Sequence, residues 1–342
     1  MSWITKPRHP SYHLRPNKAV DRLVLIELLR AFEHVQSLED HVYVGFGGPF
    51  LEDFRLVNAV FPNLEMISIE SDRETYERQK FHLCSRNMEA KNCQFEEFLS
   101  TMFPSDRPTI VWADYTDLDR KCFIEGSDVA RQAAPWSVYR ITVRAETSVY
   151  DALKIEHRPE HLPKHLQQEF ASFRRDYLAQ MTVEGVSYDE DRFNWENFTE
   201  ENYPALLAHM ILSVLSASCT RPKTFLPLNA AKYSDGTIML SVTGVFCEEE
   251  DRERLLEHFK RTCPLYLSNS ETVDEIDVPV LTTKERLHLE GLLPTRDCDG
   301  ISCLRGLGYL IEGDDSKVLS TRKMKHYEKY YRLYPYFAKL LP

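Results

Sequence analysis

No apolar run in the sequence approaches the roughly 18 residues that a membrane-spanning helix needs. Low-complexity tracts are absent, and no segment repeats itself at the spacing of solenoid or propeller proteins. The first 18 residues are basic but lack an apolar stretch and a small-residue cleavage site, so no secretory signal is expected. The eight cysteines (84, 93, 122, 219, 247, 263, 298 and 303) are scattered through a long chain. They are expected to be reduced thiols in a cytoplasm, not a disulfide framework. Cys298 and Cys303 are spaced permissibly for zinc, with Cys263 and His288 nearby in sequence. They lack a second close pair, and no metal site is expected. Neither a Gly-x-Ser-x-Gly elbow nor a Walker A loop occurs, which removes the usual support for a serine hydrolase or a P-loop NTPase.

What is present is ordinary globular usage: 342 residues, 43% hydrophobic and 28% charged, enough for one large domain with additions or for two. The net charge of −11 makes tight binding to duplex DNA an unfavoured expectation. Basic residues concentrate at the two ends. Lys6, Arg8, Arg15, Lys18 and Arg22 lie in the N-terminal arm. Lys317, Arg322, Lys323, Lys325, Lys329 and Arg332 lie in the tail, among tyrosines 327, 330, 331, 334 and 336. Interleaved bases and aromatics can bind single-stranded nucleic acid. The plainer expectation is an amphipathic helix with its tyrosines packed on a core.

Residues 18–36 place Val20, Leu23, Val24, Ile26, Leu28, Leu29 and Phe32 at helical spacing. Beyond them, strands are expected at 41–48, 64–70, 92–95, 109–115 and 137–145. Helices are expected at 50–61, 71–86, 96–103 and 118–133. Such alternation with short links builds a parallel sheet with helices on both faces. Residues 147–200 break the rhythm and read as a helical insertion. A strong apolar helix at 203–218 follows, then two strands within 224–246 joined by Tyr233-Ser234-Asp235-Gly236. The expected organisation is an arm and helix over 1–40, a Rossmann-like cofactor domain over 41–246 and a small, mostly helical subdomain over 247–342. The last is a candidate surface for oligomerisation or a partner protein.

Ligands on doubly wound sheets bind beyond the carboxyl ends of the strands. Gly45-Phe46-Gly47-Gly48 falls at such an end, before a helix. Glycine there permits a sharp turn and close approach to a ligand. Glu70 lies 25 residues on, at the end of the next strand, where an acid can accept hydrogen bonds from ribose hydroxyls. Asp114 and Tyr115 end another strand.

This arrangement resembles the class I S-adenosylmethionine-dependent methyltransferase superfamily over roughly residues 20–246. Gly45, Phe46, Gly47 and Gly48 look like its first motif, under the methionine end of the cofactor. Glu70 looks like the ribose-binding acid of the second, and Phe95 and Glu96 sit where the family places residues beside adenine. Asp114 and Tyr115 occupy the fourth motif, next to the reacting centre. The resemblance therefore implies S-adenosylmethionine as cofactor, with Asp114 or Tyr115 as catalytic base toward an acceptor oxygen. The sequence departs from the family pattern at Tyr43, where an acid is frequent, and at Pro49, directly after the loop. Asp-Pro-Pro-Tyr, typical of amino methylation of DNA bases, is absent. Two alternatives stay open: a methyltransferase-like partner subunit without catalysis, and a nicotinamide-dependent oxidoreductase using the same glycine–acid pattern. The methyl acceptor is open among small molecules, proteins and nucleic acids.

Overall fold

The computed structural model describes residues 15–147, 176–188 except 178, 201–268, 272–295, 297–311 and 317–335. Its elements alternate as the hydrophobic pattern predicts. They are α1 (Pro16–Glu33), β1 (Val42–Gly45), α2 (Glu52–Val60), β2 (Glu65–Ile69), α3 (Arg73–His82), β3 (Met88–Lys91), α4 (Phe95–Thr101), β4 (Thr109–Asp114), α5 (Arg120–Gln132) and β5 (Val138–Arg144). After them come α6 (Tyr203–Ser218), β6 (Lys223–Ser234), β7 (Ile238–Glu248), α7 (Arg252–Thr262), β8 (Asp274–Ile276), α8 (Thr283–Glu290), α9 (Ile301–Leu307) and α10 (Lys317–Tyr330).

The strand order is β3-β2-β1-β4-β5-β7-β6-β8. The first four pairings in that order are parallel. β7 runs antiparallel to β5, as expected of the terminal hairpin. The order reverses at β1, which lies between β2 and β4, so the switch point of the sheet is the end of β1. This is a doubly wound, mostly parallel α/β fold. One face packs Val44, Val111, Tyr139 and Ile141 against Phe98, Phe123, Leu207 and Ile211 from α4, α5 and α6. On the other, the Tyr43 and Phe54 rings of β1 and α2 meet edge to face at 4.9 Å.

Central strands buried on both faces usually read as unbroken apolar runs. β5 is buried on both but carries Arg140 and Thr142. Cross-strand pairing accommodates them. Arg140 lies opposite Thr243 and donates to its Oγ1 at 2.7 Å. Thr142 lies opposite Ser241 and shares a hydrogen bond with it at 3.0 Å while accepting one from the Trp112 indole. The guanidinium of Arg140 also sits over the Trp112 ring at 5.0 Å.

One strand differs in place from the sequence expectation, and β8 is a strand that the expectation lacked. The third strand is Met88–Lys91, not 92–95: Met88 and Ala90 alternate inward, and Gln94 is already the extended residue before α4. The described residues form two units, the larger within 28–232 and 237–274 and the smaller within 15–27, 233–236 and 275–335. α7 belongs to the larger unit because it buries Leu255 and Phe259 there, and its His258 ring bonds the Ala31 carbonyl at 2.8 Å. Most of the expected 147–200 insertion and the arm before Arg15 lie outside the described residues. Of the insertion, Met181 is buried against the larger unit's core, with Tyr177, Val183, Val186 and Tyr188 partly buried there.

In the smaller unit α8 opens with a capping box between Thr282 and Glu285. Tyr327, Tyr330 and Tyr334 of the basic tail are buried, and Arg322 and Lys323 face Asp277. Those tyrosines are therefore core, not stacking platforms. Tyr336 lies outside the described residues. The hairpin turn supplies a cap in trans: the Asp235 carboxylate accepts the backbone N–H groups of Asn17 (3.3 Å) and Lys18 (2.8 Å), two orphan donors at the start of α1. Removal of a helix cap typically costs about 1 kcal/mol. Asp235→Ala is predicted to lower unfolding stability by about that amount in urea titration, and Asp235→Asn by less. An unchanged midpoint for Asp235→Ala would show the cap to be idle.

His41, just before β1, is fully buried, with Nε2 at 3.0 Å from the Trp136 carbonyl. The carbonyl partner makes Nε2 the donor. Burial holds the imidazole pKa below its usual value. The unfolded chain binds a proton near pH 6.5, so this contribution to stability is complete above that pH and is lost as pH falls through the folded-state pKa. His41→Leu should lose less melting temperature between pH 7.5 and 5.5 than the wild type; equal losses would refute the assignment.

Candidate active site

The loop after β1 is built on close contacts. A Cβ on Gly45 would meet the Trp112 carbonyl of β4 at 3.1 Å. One on Gly47 would meet Leu51 Cδ2 at 2.3 Å and Ser68 Oγ at 2.7 Å. Gly48 has φ +55°, a left-handed conformation that glycine adopts without strain, and a Cβ there would meet nothing within 4 Å. Thus Gly45 and Gly47 let backbone pack inward, and Gly48 turns the chain where space is open.

Two buried polar side chains brace this loop. Ser68 and Gln79 are both at 0% exposure. The Gly47 N–H donates to Ser68 Oγ (3.2 Å), Ser68 Oγ donates to Gln79 Oε1 (3.0 Å), and Gln79 Nε2 donates to the Gly48 carbonyl (3.0 Å). The ring links β2, α3 and the loop, and uses up a donor that a ligand would otherwise have met. The first turn of α2 carries Glu52 and Asp53, which already complement the helix dipole. A diphosphate would meet two acids there and one fewer N–H than a dinucleotide loop provides.

Register sets the two acids. Gly45 is level with Ser68 on β2 and with Trp112 on β4. Glu70 and Asp114 therefore lie two residues beyond that level, on the two strands that flank β1. With strands about 4.8 Å apart, their backbones stand roughly 10 Å from each other, one on either side of the glycine loop. Both side chains are half-buried. The Glu70 carboxylate accepts the Asp72 N–H at 2.8 Å, and Asn92 holds the Glu70 carbonyl at 2.8 Å. Asp72 caps α3 through the Thr75 N–H.

Aromatic rings connect the loop to the other predicted residues. Phe46 meets Phe95 edge to face at 5.0 Å and Tyr115 at 5.2 Å. Phe95 is buried, Phe46 and Tyr115 are half-buried, and Glu96 is exposed in the first turn of α4. The structure thus brings Phe46, Phe95 and Tyr115 into one cluster and leaves Glu96 at its surface edge. The Tyr115 hydroxyl donates to Glu125 Oε2 at 2.6 Å. Burial, with Tyr139 and Glu125 adding, holds the phenol well above its usual pKa, which makes it a poor base. Burial also raises the Glu125 carboxyl.

Arg144 and Glu146, at the end of β5, pair with each other at 2.6 Å. Glu146 also accepts the Ile238 N–H at 2.9 Å. Among the described residues no three potential metal ligands converge. The thiol of Cys303 donates to the buried Glu328 at 3.3 Å. A cavity of about 290 Å³ lined by Ser127, Arg131, Ser218 and Cys219 lies where α5 and α6 end, toward the start of β5 and β6 and away from the glycine loop.

Ser68, Gln79 and Glu125 escape the motif reading. Glu125 leaves one trace, a polar residue among Cys122, Phe123, Gly126 and Val129 on α5, whereas Gln79 leaves none, being the single buried residue of a polar helix.

Comparison with known proteins adds an independent finding. A family model described as "Putative O-methyltransferase" matches residues 10–342. No curated protein matches the sequence. Similar solved structures include a probable spermidine synthase from Corynebacterium glutamicum, 15% identical at a TM-score of 0.33, with 39% of this chain and 50% of that chain covered. A 16S rRNA (adenine(1408)-N(1))-methyltransferase from Catenulisporales acidiphilia is 12% identical at a TM-score of 0.34, with 64% and 90% covered. Geranyl diphosphate C-methyltransferase from Streptomyces coelicolor is 14% identical at a TM-score of 0.29, with 71% and 88% covered. The chain spans half the length of the first of these.

The brace predicts an order of sensitivity. Gly47→Ala should lower the melting temperature more than Gly48→Ala, because the former drives a methyl group into Ser68 and Leu51 while the latter adds only backbone strain. The reverse order in thermal unfolding would remove the close-packing account of Gly47.

Proposed function

The chain belongs to the family described as "Putative O-methyltransferase", and from that premise we propose that it transfers a methyl group from S-adenosylmethionine to an acceptor oxygen. The observation that carries this reading is the pair of acids flanking the glycine loop, Glu70 just past β2 and Asp114 at the end of β4. S-adenosylmethionine fits the donor set better than a dinucleotide does. It carries no diphosphate, and its methionine end pairs one carboxylate with an ammonium, so the acids opening α2 and the occupied Gly47 N–H weigh less against it than against a dinucleotide. The nicotinamide reading loses its support for the same reason.

In this reading Glu70 accepts hydrogen bonds from the ribose hydroxyls, and the open side of Gly48 leaves room for the methionine end. Phe46, Phe95 and Tyr115 form an apolar wall, and aromatic faces favour a neighbouring sulfonium charge. Bound there, S-adenosylmethionine supplies an electrophilic methyl group on sulfur. The chain's own contribution is orientation, which can supply much of the rate gain, and removal of one proton. Asp114 takes that proton from the acceptor hydroxyl. Tyr115 is unsuited to the task, because its own proton is held in the hydrogen bond to Glu125.

S-adenosylhomocysteine should bind the wild type and raise its melting temperature, since a ligand that binds only the folded state stabilises it. Glu70→Ala should weaken that binding at least about tenfold, as expected for losing a hydrogen bond to a charged group. Asp114→Asn should leave binding within a few-fold and reduce turnover on the acceptor by about a hundredfold or more. Calorimetric titration and a methyl-transfer assay read the two effects. Undiminished affinity in Glu70→Ala would break the link between glycine loop and acid, and full activity in Asp114→Asn would leave Asp114 a structural residue.

A further inference from the structure

We propose that Glu125 is a positioning residue of the cofactor pocket, holding the Tyr115 ring against Phe46 of the glycine loop. The proposal rests on the S-adenosylmethionine reading above. It starts from a placement that stability alone does not explain. Glu125 sits on the core-facing side of α5 at 1% exposure, among Cys122, Phe123, Gly126 and Val129. Taking a carboxylate out of water is costly, and an apolar residue of similar volume generally serves a core as well or better.

The partners of the carboxylate show where it acts. Oε2 accepts the Tyr115 hydroxyl at 2.6 Å, and Oε1 faces the Lys121 ammonium at 3.5 Å, one turn earlier on the same helix. The backbone of Tyr115 is tied as well, its N–H donating to the Thr142 carbonyl at 2.8 Å. With backbone and hydroxyl both fixed, the ring between them has one orientation. That ring meets Phe46 edge to face, with 5.2 Å between centroids and 76° between planes. Phe46 in turn meets Phe95 at 5.0 Å and 84°.

Phe46 needs such support. It lies between Gly45 and Gly47, and the chain on either side has no side chain with which to anchor itself. The brace through Ser68 and Gln79 fixes the backbone of Gly47 and Gly48 from the α3 side. Tyr115 and Phe95 confine the Phe46 side chain from the α4–α5 side. Glu125 is the buried polar end of that second support. Its action on a ligand runs through Tyr115 and Phe46, so it orients the pocket and takes no part in proton transfer.

The test uses S-adenosylhomocysteine as the probe, titrated calorimetrically into the full chain, with a melting curve for every variant. Glu125→Leu removes the acceptor, Tyr115→Phe removes the donor, and Glu125→Gln keeps a carbonyl acceptor without the charge. Glu125→Leu and Tyr115→Phe should each weaken binding by roughly tenfold, the scale of one buried hydrogen bond. The double variant should be no weaker than either single one, because the two substitutions remove the same interaction. Glu125→Gln should stay within about threefold of wild type by the same scale. A purely structural role would lower melting temperatures and leave the affinity of the folded protein unchanged; that result overturns the proposal. Affinity lost as fully in Glu125→Gln as in Glu125→Leu also overturns it, since charge and not the hydrogen bond would then matter. If Glu125→Leu does not fold, Tyr115→Phe carries the same comparison. A wild type that does not bind S-adenosylhomocysteine defeats the cofactor reading itself, whereas a wild type that binds beside unaffected variants defeats the positioning role alone.

Discussion

The hydrogen-bonded ring of Gly47, Ser68, Gln79 and Gly48 governs what the end of β1 can be. A glycine-rich turn has many backbone conformations to lose on folding. Here one N–H and one carbonyl of the turn are satisfied by two side chains that see no water, and in such surroundings an unmade hydrogen bond is expensive. The loop is therefore held by the protein's own groups and does not depend on a ligand to order it. This separates it from loops that cradle phosphate, whose N–H groups point at the anion.

That internal commitment explains why one sequence pattern carries two meanings. A glycine loop followed by an acid at the end of the next strand suits both a dinucleotide and an adenosyl ligand. The difference lies in what the loop has left to offer. With the Gly47 N–H occupied and Glu52 and Asp53 opening α2, a diphosphate is disfavoured, and what remains is aromatic: half-buried Phe46 and Tyr115, with Phe95 buried behind Phe46.

Much of the fold was legible because hydrophobic period and burial agree. The segments that became β1, β2, β4, β5 and α6 carry that agreement plainly, and the Asp-Gly turn marks the hairpin. β3 was misplaced because Met88–Lys91 offers only two inward residues, whereas the apolar end of 92–95 belongs to the first turn of α4. The place of α7 is not legible in sequence, because the contact that ties it to the larger unit joins residues more than 200 positions apart, His258 and Ala31. In the site, residues at strand ends could be found by position alone. Ser68 and Glu125 could not, since a polar residue within an apolar stripe signals burial only once its partner is known, nor could Gln79, the one buried residue of a polar helix. Tyr115 and Glu125 are ten residues apart across a turn, a separation with no fixed meaning in any regular element.

The end of β5 carries charges that serve the sheet. Arg144 ends β5 and Glu146 follows two residues later. In the structure Glu146 divides its carboxylate between the Arg144 guanidinium and the Ile238 N–H, where β7 begins. The pair thereby secures the antiparallel strand against β5. Arg144 also faces Asp117 at 3.4 Å, so its positive charge is shared between two acids. The charges at the end of β5 are thus engaged within the fold, whereas Asp114 stands level with Glu70 across the glycine loop.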